Sequence, residues 1–151
     1  MSSKVMFVCT GNICRSPMAE VMARHIFEQE GLEGYEFVSS GVAAMEGWGA
    51  TREVGEVLEE MGLDISTHRA QYVAKELLDE CSHIFAMTKD HVDTLRRRFG
   101  DSDKIHLLSE FAEAEGDVQD PYGMGLPVYL ECREVLREHI MAVAKKLKGD
   151  S

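Results

Sequence analysis

Lys4-Val5-Met6-Phe7-Val8-Cys9-Thr10-Gly11-Asn12-Ile13-Cys14-Arg15-Ser16-Pro17 is the stretch that decides how this chain folds. From Val5 to Cys9 it is an unbroken apolar run, the pattern of a strand buried on both faces in a parallel sheet. Pro17 suits the first turn of a helix, where its missing N–H costs nothing. Val21, Met22 and Ile26 then share one face until Gly31. Between strand and helix lies a tight loop of the form C-x-x-x-x-x-R-S. A cysteine at a strand end, followed by a turn that leads into a helix N-terminus, can have its thiolate stabilised by the loop N–H groups and the helix dipole. The same cradle accepts a phosphate dianion. Gly11 lets backbone approach a ligand closely, and Asn12 is among the residues that best tolerate a left-handed turn. Arg15 adds a planar fork matched to two phosphate oxygens, which a lysine would not copy. An isolated C-x5-R is a frequent chance match, with the cysteine a small buried hydrophobe and the arginine a surface charge. Its placement between strand and helix, with Gly, Asn, Ser and Pro in useful positions, makes Cys9 a candidate nucleophile and Arg15 a candidate anion clamp.

Outward from this loop the strand–helix alternation repeats, which predicts an α/β domain on a parallel sheet. A second strand is expected at 35–39, then a Gly-rich loop through Gly41, Gly47, Trp48 and Gly49. Val54, Val57, Leu58 and Met61 follow at helical spacing, with Gly62 as cap. A short helix at 73–78, a third strand at 82–87, a helix at 90–99 ending at Gly100 and a fourth strand at 104–108 continue the pattern. Residues 109–126 carry Asp, Glu, Gly and Pro with little periodicity, and irregular loops longer than roughly 12–15 residues tend to be functional. The last helix, about 128–147, is expected to bury Cys132, Val135, Leu136, Val143 and Leu147 along one stripe.

The 151 residues suit one domain, 1–151, with a substantial core. A net charge of −11 argues against a nucleic-acid partner, because affinity for a phosphate backbone comes from Lys and Arg. No stretch approaches the roughly 20 apolar residues of a membrane span, and Val5 to Val8 is too brief for a signal peptide. A cytoplasmic protein with no membrane partner is therefore expected. Without a secretion signal, the four cysteines read as reduced, catalytic or buried before they read as disulfides. Cys14 shares the loop with Cys9, and a reversible disulfide between them would protect an oxidised nucleophile; packing beneath the loop is the plainer alternative. Cys81 and Cys132 fall in apolar patterns and are expected in the core. Ser16 either donates to the Cys9 thiolate or caps the helix.

The loop resembles the motif C-x-G-N-x-C-R-S-P of the low-molecular-weight protein tyrosine phosphatases. The likeness extends along nearly the whole chain: Ser39-Ser40-Gly41-Val42 is similar to that family's S-A-G-T segment, His68-Arg69-Ala70 to its H-R-A and Asp120-Pro121-Tyr122 to its D-P-Y. The resemblance implies a single three-layer domain with a four-stranded parallel sheet and helices on both faces. It implies a phosphorylated protein as substrate, no cofactor, no metal and a monomer. By likeness Cys9 attacks phosphorus, and Arg15 with the Thr10, Gly11, Asn12, Ile13, Cys14 and Ser16 loop binds the phosphoryl group. Asp120 is the general acid and later the base, although an Asp-Pro turn is common in any loop and Asp117 is its rival. Ser39 and His68 correspond to positions that brace Asn12 and the loop. Trp48 and Tyr122 correspond to walls of a slot for a flat phosphoaryl group, but Gly123 stands where animal members often carry a second tyrosine.

Protein arginine phosphatases of the same family share the loop and a segment much like Gly116-Asp117-Val118-Gln119-Asp120-Pro121-Tyr122-Gly123. Their residue between Asn and the second Cys is typically Thr. Ile13 should pack against an aromatic ring and crowd a phosphoguanidinium, which ranks phosphotyrosine first. Thiol-coupled arsenate reduction uses the same fold but needs two further cysteines to relay a disulfide, and Cys81 has no nearby partner in sequence before Cys132. A phosphate-binding adaptor would not need the full Cys9, Arg15 and Asp120 set.

Overall fold

The opening apolar run forms β1 (Ser3–Cys9), buried from Val5 onward. The structure is a computed structural model that describes residues 3–149, so Met1, Ser2, Asp150 and Ser151 lie outside it. Helix α1 (Arg15–Gln29) leads to β2 (Tyr35–Gly41), α2 (Arg52–Glu59) and α3 (Lys75–Glu80). Then come β3 (Cys81–Ala86), α4 (Lys89–Phe99), β4 (Ile105–Leu107), α5 (Leu108–Phe111) and α6 (Leu126–Gly149). The four strands are all parallel, in the order β2-β1-β3-β4. Strand order therefore reverses at β1, and its carboxyl end opens onto the crevice where such sheets bind ligands.

Both faces of β1 are covered, which is why its sequence lacks polar alternation. Val5, Phe7 and Cys9 pack with Met18 and Met22 of α1, Val57 and Leu58 of α2, and Leu136 and Ile140 of α6. Met6 and Val8 face the opposite layer, with Leu78 of α3 and Val92 and Leu95 of α4. This is the expected three-layer arrangement, a four-stranded parallel sheet with helices on both faces.

Several boundaries differ from the sequence expectation. Helix α3 starts at Lys75 rather than 73, because Tyr72 bridges Gly41 and the Val73 N–H donates to the Gly41 carbonyl at 3.1 Å, which holds both residues extended. Strand β2 runs on to Gly41, since Ser40 and Gly41 pair with Val8 and Cys9. The segment 109–126 is not wholly irregular: its first residues belong to α5, and α6 already begins at Leu126. In α6 the buried stripe is Cys132, Leu136, Ile140, Val143 and Leu147, and Val135 is 38% exposed. These five residues fall within roughly 80° of one another around the helix, whereas Val135 lies roughly 100° from Leu136 at the centre of the stripe. Among the described residues no helix is long and apolar enough to cross a membrane.

Candidate active site

The loop 10–14 hangs between the end of β1 and the start of α1, and Arg15 is the first residue of that helix. Asn12 adopts φ +58°, the left-handed conformation an asparagine tolerates with little penalty. Its fully buried side chain ties the loop together: Nδ2 donates to Ser16 Oγ at 2.8 Å and to Ser39 Oγ at 2.9 Å, and Oδ1 accepts from the Gln71 N–H at 2.9 Å. His68 Nε2 lies 2.7 Å from the Asn12 carbonyl, and Ser39 Oγ donates onward to Glu20 Oε1 at 2.6 Å. The expected bracing positions Ser39 and His68 thus both touch Asn12. Gly41 passes directly behind the loop, where a Cβ would stand 2.5 Å from the Thr10 carbonyl and 3.0 Å from the Asn12 nitrogen. Gly11 is under no such pressure, since a Cβ there would meet only Ile13 at 3.5 Å.

Thr10, Gly11, Ile13 and Cys14 line a small cavity of about 170 Å³ together with Cys9, Arg15, Asp120 and Tyr122. Cys9 is buried, with Ser16 Oγ 2.9 Å from its sulfur. The Arg15 guanidinium is also buried. Nη1 donates to the Val118 carbonyl at 2.9 Å, and Nη2 donates to Thr10 Oγ1 at 3.4 Å and lies 3.7 Å from Asp120 Oδ2. A half-exposed carboxylate at that distance neutralises a buried cation only partly, and an anion in the cavity would complete the pairing. Among the described residues, no protein group accepts from the N–H groups of Gly11, Asn12, Ile13 and Cys14, so the loop keeps these donors available to such an anion.

Asp117, the rival acid, points elsewhere: its Oδ1 accepts from the Lys89 N–H at the start of α4. The Val118 N–H bonds the Met87 carbonyl at 2.9 Å, which anchors the acidic loop to the end of β3. Trp48 is not part of the cavity lining. It is 54% exposed on the loop after β2, with its backbone bonded to Met45 and Ala70. Tyr122 is the one aromatic residue of the expected pair that reaches the cavity.

All four cysteines are free. The Cys14 sulfur lies 3.4 Å from Tyr129 Oη and 3.7 Å from Thr51 Oγ1, and burial pushes its thiol pKa up. Burial pushes Cys81 up to about 11 and Cys132 to about 12, as suits inert core thiols.

Sequence reasoning missed His91, Gln71, Glu20, Tyr129 and the Val118 carbonyl. His91 is buried in the first turn of α4, with Nε2 2.8 Å from Thr10 Oγ1. Burial first, and then the Arg15 charge, lower its pKa to about 4. Nothing in the sequence near 91 signals this contact, because it joins residues 81 positions apart.

The chain matches the family described as low molecular weight phosphotyrosine protein phosphatase over residues 4–151. It is 39% identical to a protein-arginine-phosphatase of Geobacillus stearothermophilus, covering 99% of each chain. It is 32% identical to the low molecular weight protein-tyrosine-phosphatase PtpB of Staphylococcus aureus, covering 88% of this chain and 91% of that one. The crystal structure of a low molecular weight protein tyrosine phosphatase from T. tengcongensis superposes with a TM-score of 0.92 at 43% identity, covering 96% of this chain and 99% of that chain. A match along nearly the full length, on a fold whose phosphate-sized cavity is built by the motif that suggested the likeness, places the chain in the low molecular weight phosphotyrosine protein phosphatase family.

Proposed function

We propose that the chain hydrolyses phosphotyrosine in proteins through a phosphocysteine, with Cys9 as nucleophile, Arg15 as phosphate clamp and Asp120 as general acid and base. The observation that carries this is the convergence of a buried thiol, a buried guanidinium, a carboxyl and uncommitted loop N–H groups on one cavity. The Cys9 sulfur forms a bond to phosphorus as the ester P–O bond breaks, and the Asp120 carboxyl gives its proton to the leaving oxygen. Arg15 and the loop amides hold the three equatorial oxygens, where charge is spread in the transition state. Water then attacks phosphorus, the Asp120 carboxylate takes its proton, and the S–P bond breaks. Ser16, 2.9 Å from the sulfur, donates a hydrogen bond to the departing thiolate. Four free thiols, two of them in the site, suit a reducing, cytoplasmic compartment.

Ile13 favours phosphotyrosine. With Tyr122 it gives the cavity apolar walls for an aryl ring, and it has no hydrogen-bonding group to offer a phosphoguanidinium. The competing reading, phosphoarginine, is favoured by the names of the relatives that are 39% and 37% identical. Matched phosphotyrosine and phosphoarginine peptides decide between them. The expected result is a higher kcat/KM on phosphotyrosine, a shift toward phosphoarginine in Ile13→Thr and no turnover of either in Cys9→Ser. A wild-type preference for phosphoarginine would reverse the assignment, and an active Cys9→Ser would end the phosphocysteine mechanism.

A further inference from the structure

We propose that His91 is a positioning residue for phosphate capture: its Nε2–H donates to the Thr10 hydroxyl, so that the Thr10 proton is turned into the cavity as one more donor to the phosphoryl oxygens. This deepens the phosphatase reading above and rests on it.

The donors and acceptors around Thr10 fix the direction of this bond. A threonine hydroxyl has one proton and two lone pairs. Arg15 Nη2 donates to Thr10 Oγ1 at 3.4 Å and so takes one lone pair, and His91 Nε2 lies 2.8 Å from the same oxygen. Two tautomers of the ring satisfy that contact. If Thr10 donated to Nε2, the ring proton would sit on Nδ1, and Nδ1 is buried with no hydrogen-bond partner. A buried N–H without an acceptor is the costlier kind of unsatisfied group. If Nε2 carries the proton, only a lone pair on Nδ1 is left idle. Both Thr10 lone pairs are then occupied by N–H donors, and the hydroxyl proton has the cavity to point into, where Thr10 stands beside Cys9, Arg15 and Asp120.

The ring is held for this task. The His91 N–H bonds Thr88 Oγ1 at 3.1 Å, which caps α4 and fixes the residue in its first turn. The charges that bear on the ring are Arg15 on one side and Asp90, Asp117 and Asp120 on the other. Burial and the guanidinium outweigh the three carboxylates and keep the imidazole neutral through mild acid.

The test begins with the wild-type protein. Long-range ¹H–¹⁵N NMR should show His91 as the neutral Nε2–H tautomer from about pH 6 to 8, and a Nδ1–H tautomer would overturn the proposal. Binding of inorganic phosphate, measured by calorimetry, should weaken roughly tenfold in Thr10→Val, the effect of one lost hydrogen bond to a charged group. His91→Phe, which keeps the ring's bulk, should weaken it similarly and raise KM for an aryl phosphate more than it lowers kcat. His91→Gln, whose amide can donate from nearly the same place, should recover most of the loss. The double variant should be no weaker than Thr10→Val alone, because the two residues act through one hydroxyl. Additive losses, or a His91→Gln as weak as His91→Phe, would refute a role exerted through Thr10. The tautomer and the phosphate affinity need no turnover, so they stand or fall separately from the assignment of the reaction.

Discussion

Asp120 is half exposed at the edge of the cavity, and its partner Arg15 is buried, so the carboxyl stands where the proposed acid and base steps need it, within reach of both substrate and water. Asp117, three residues earlier, spends its carboxylate on the N–H of Lys89. The division of labour predicts unequal effects. Asp120→Asn should slow turnover of an alkyl or tyrosyl phosphate by roughly 10²–10⁴-fold, the range for a lost general acid, while an aryl phosphate with an acidic leaving group is slowed much less. Steady-state rates on the two substrates check this, and equal slowing would remove Asp120 as the acid. Asp117→Ala should instead cost stability of order 1 kcal/mol by leaving the first N–H of α4 without its acceptor, read as a lower urea midpoint.

At the level of the element, β2 and the loop after β1 are built to touch. Gly41 has Thr10 and Asn12 backbone against it, and neither neighbour is a flexible side chain that can swing away. Gly41→Ala should therefore destabilise by about 1–3 kcal/mol, as overpacking does, and weaken inorganic phosphate binding by displacing the loop. A variant with unchanged urea midpoint and phosphate affinity would show that the loop shifts without consequence. The strand–loop–helix unit was legible in the sequence because its signals are local: an apolar run, a glycine and an asparagine, then Pro17 in a first turn. The α6 stripe was legible at Cys132, Leu136, Val143 and Leu147, but not at Ile140, which belongs to it, or at Val135, which lies to one side of it. What the sequence could not display were contacts between distant segments: Asn12 with Gln71, Thr10 with His91 and Arg15 with the Val118 carbonyl. Each depends on which elements the sheet order brings together, and hydrophobic periodicity does not encode that order.

For the molecule as a whole, buried His91 and His139 and partly buried His106 bear on the acid side of its stability. Burial, followed by the Arg15 charge, depresses His91 to about 4 from an ordinary 6.5, and burial is also the leading cause that lowers His106 and His139. A histidine whose pKa is lower in the folded chain leaves the unfolded chain with more bound protons, so stability is complete above about pH 6.5 and falls as pH drops toward 4. The full His91 shift corresponds to roughly 3 kcal/mol. An opposing effect comes from the net charge of −11, since protonating carboxylates relieves self-repulsion. Ordinary carboxylates titrate near pH 4, so between about 6.5 and 5 the histidines dominate. Urea unfolding across that interval should show stability declining with acidity, and His91→Gln should make the decline shallower. The difference between the two proteins isolates His91, because the carboxylates are common to both. Parallel curves would mean that the imidazole is protonated in the folded state, a second cation beside Arg15, and would contradict the neutral ring that the burial of its unpartnered Nδ1 requires.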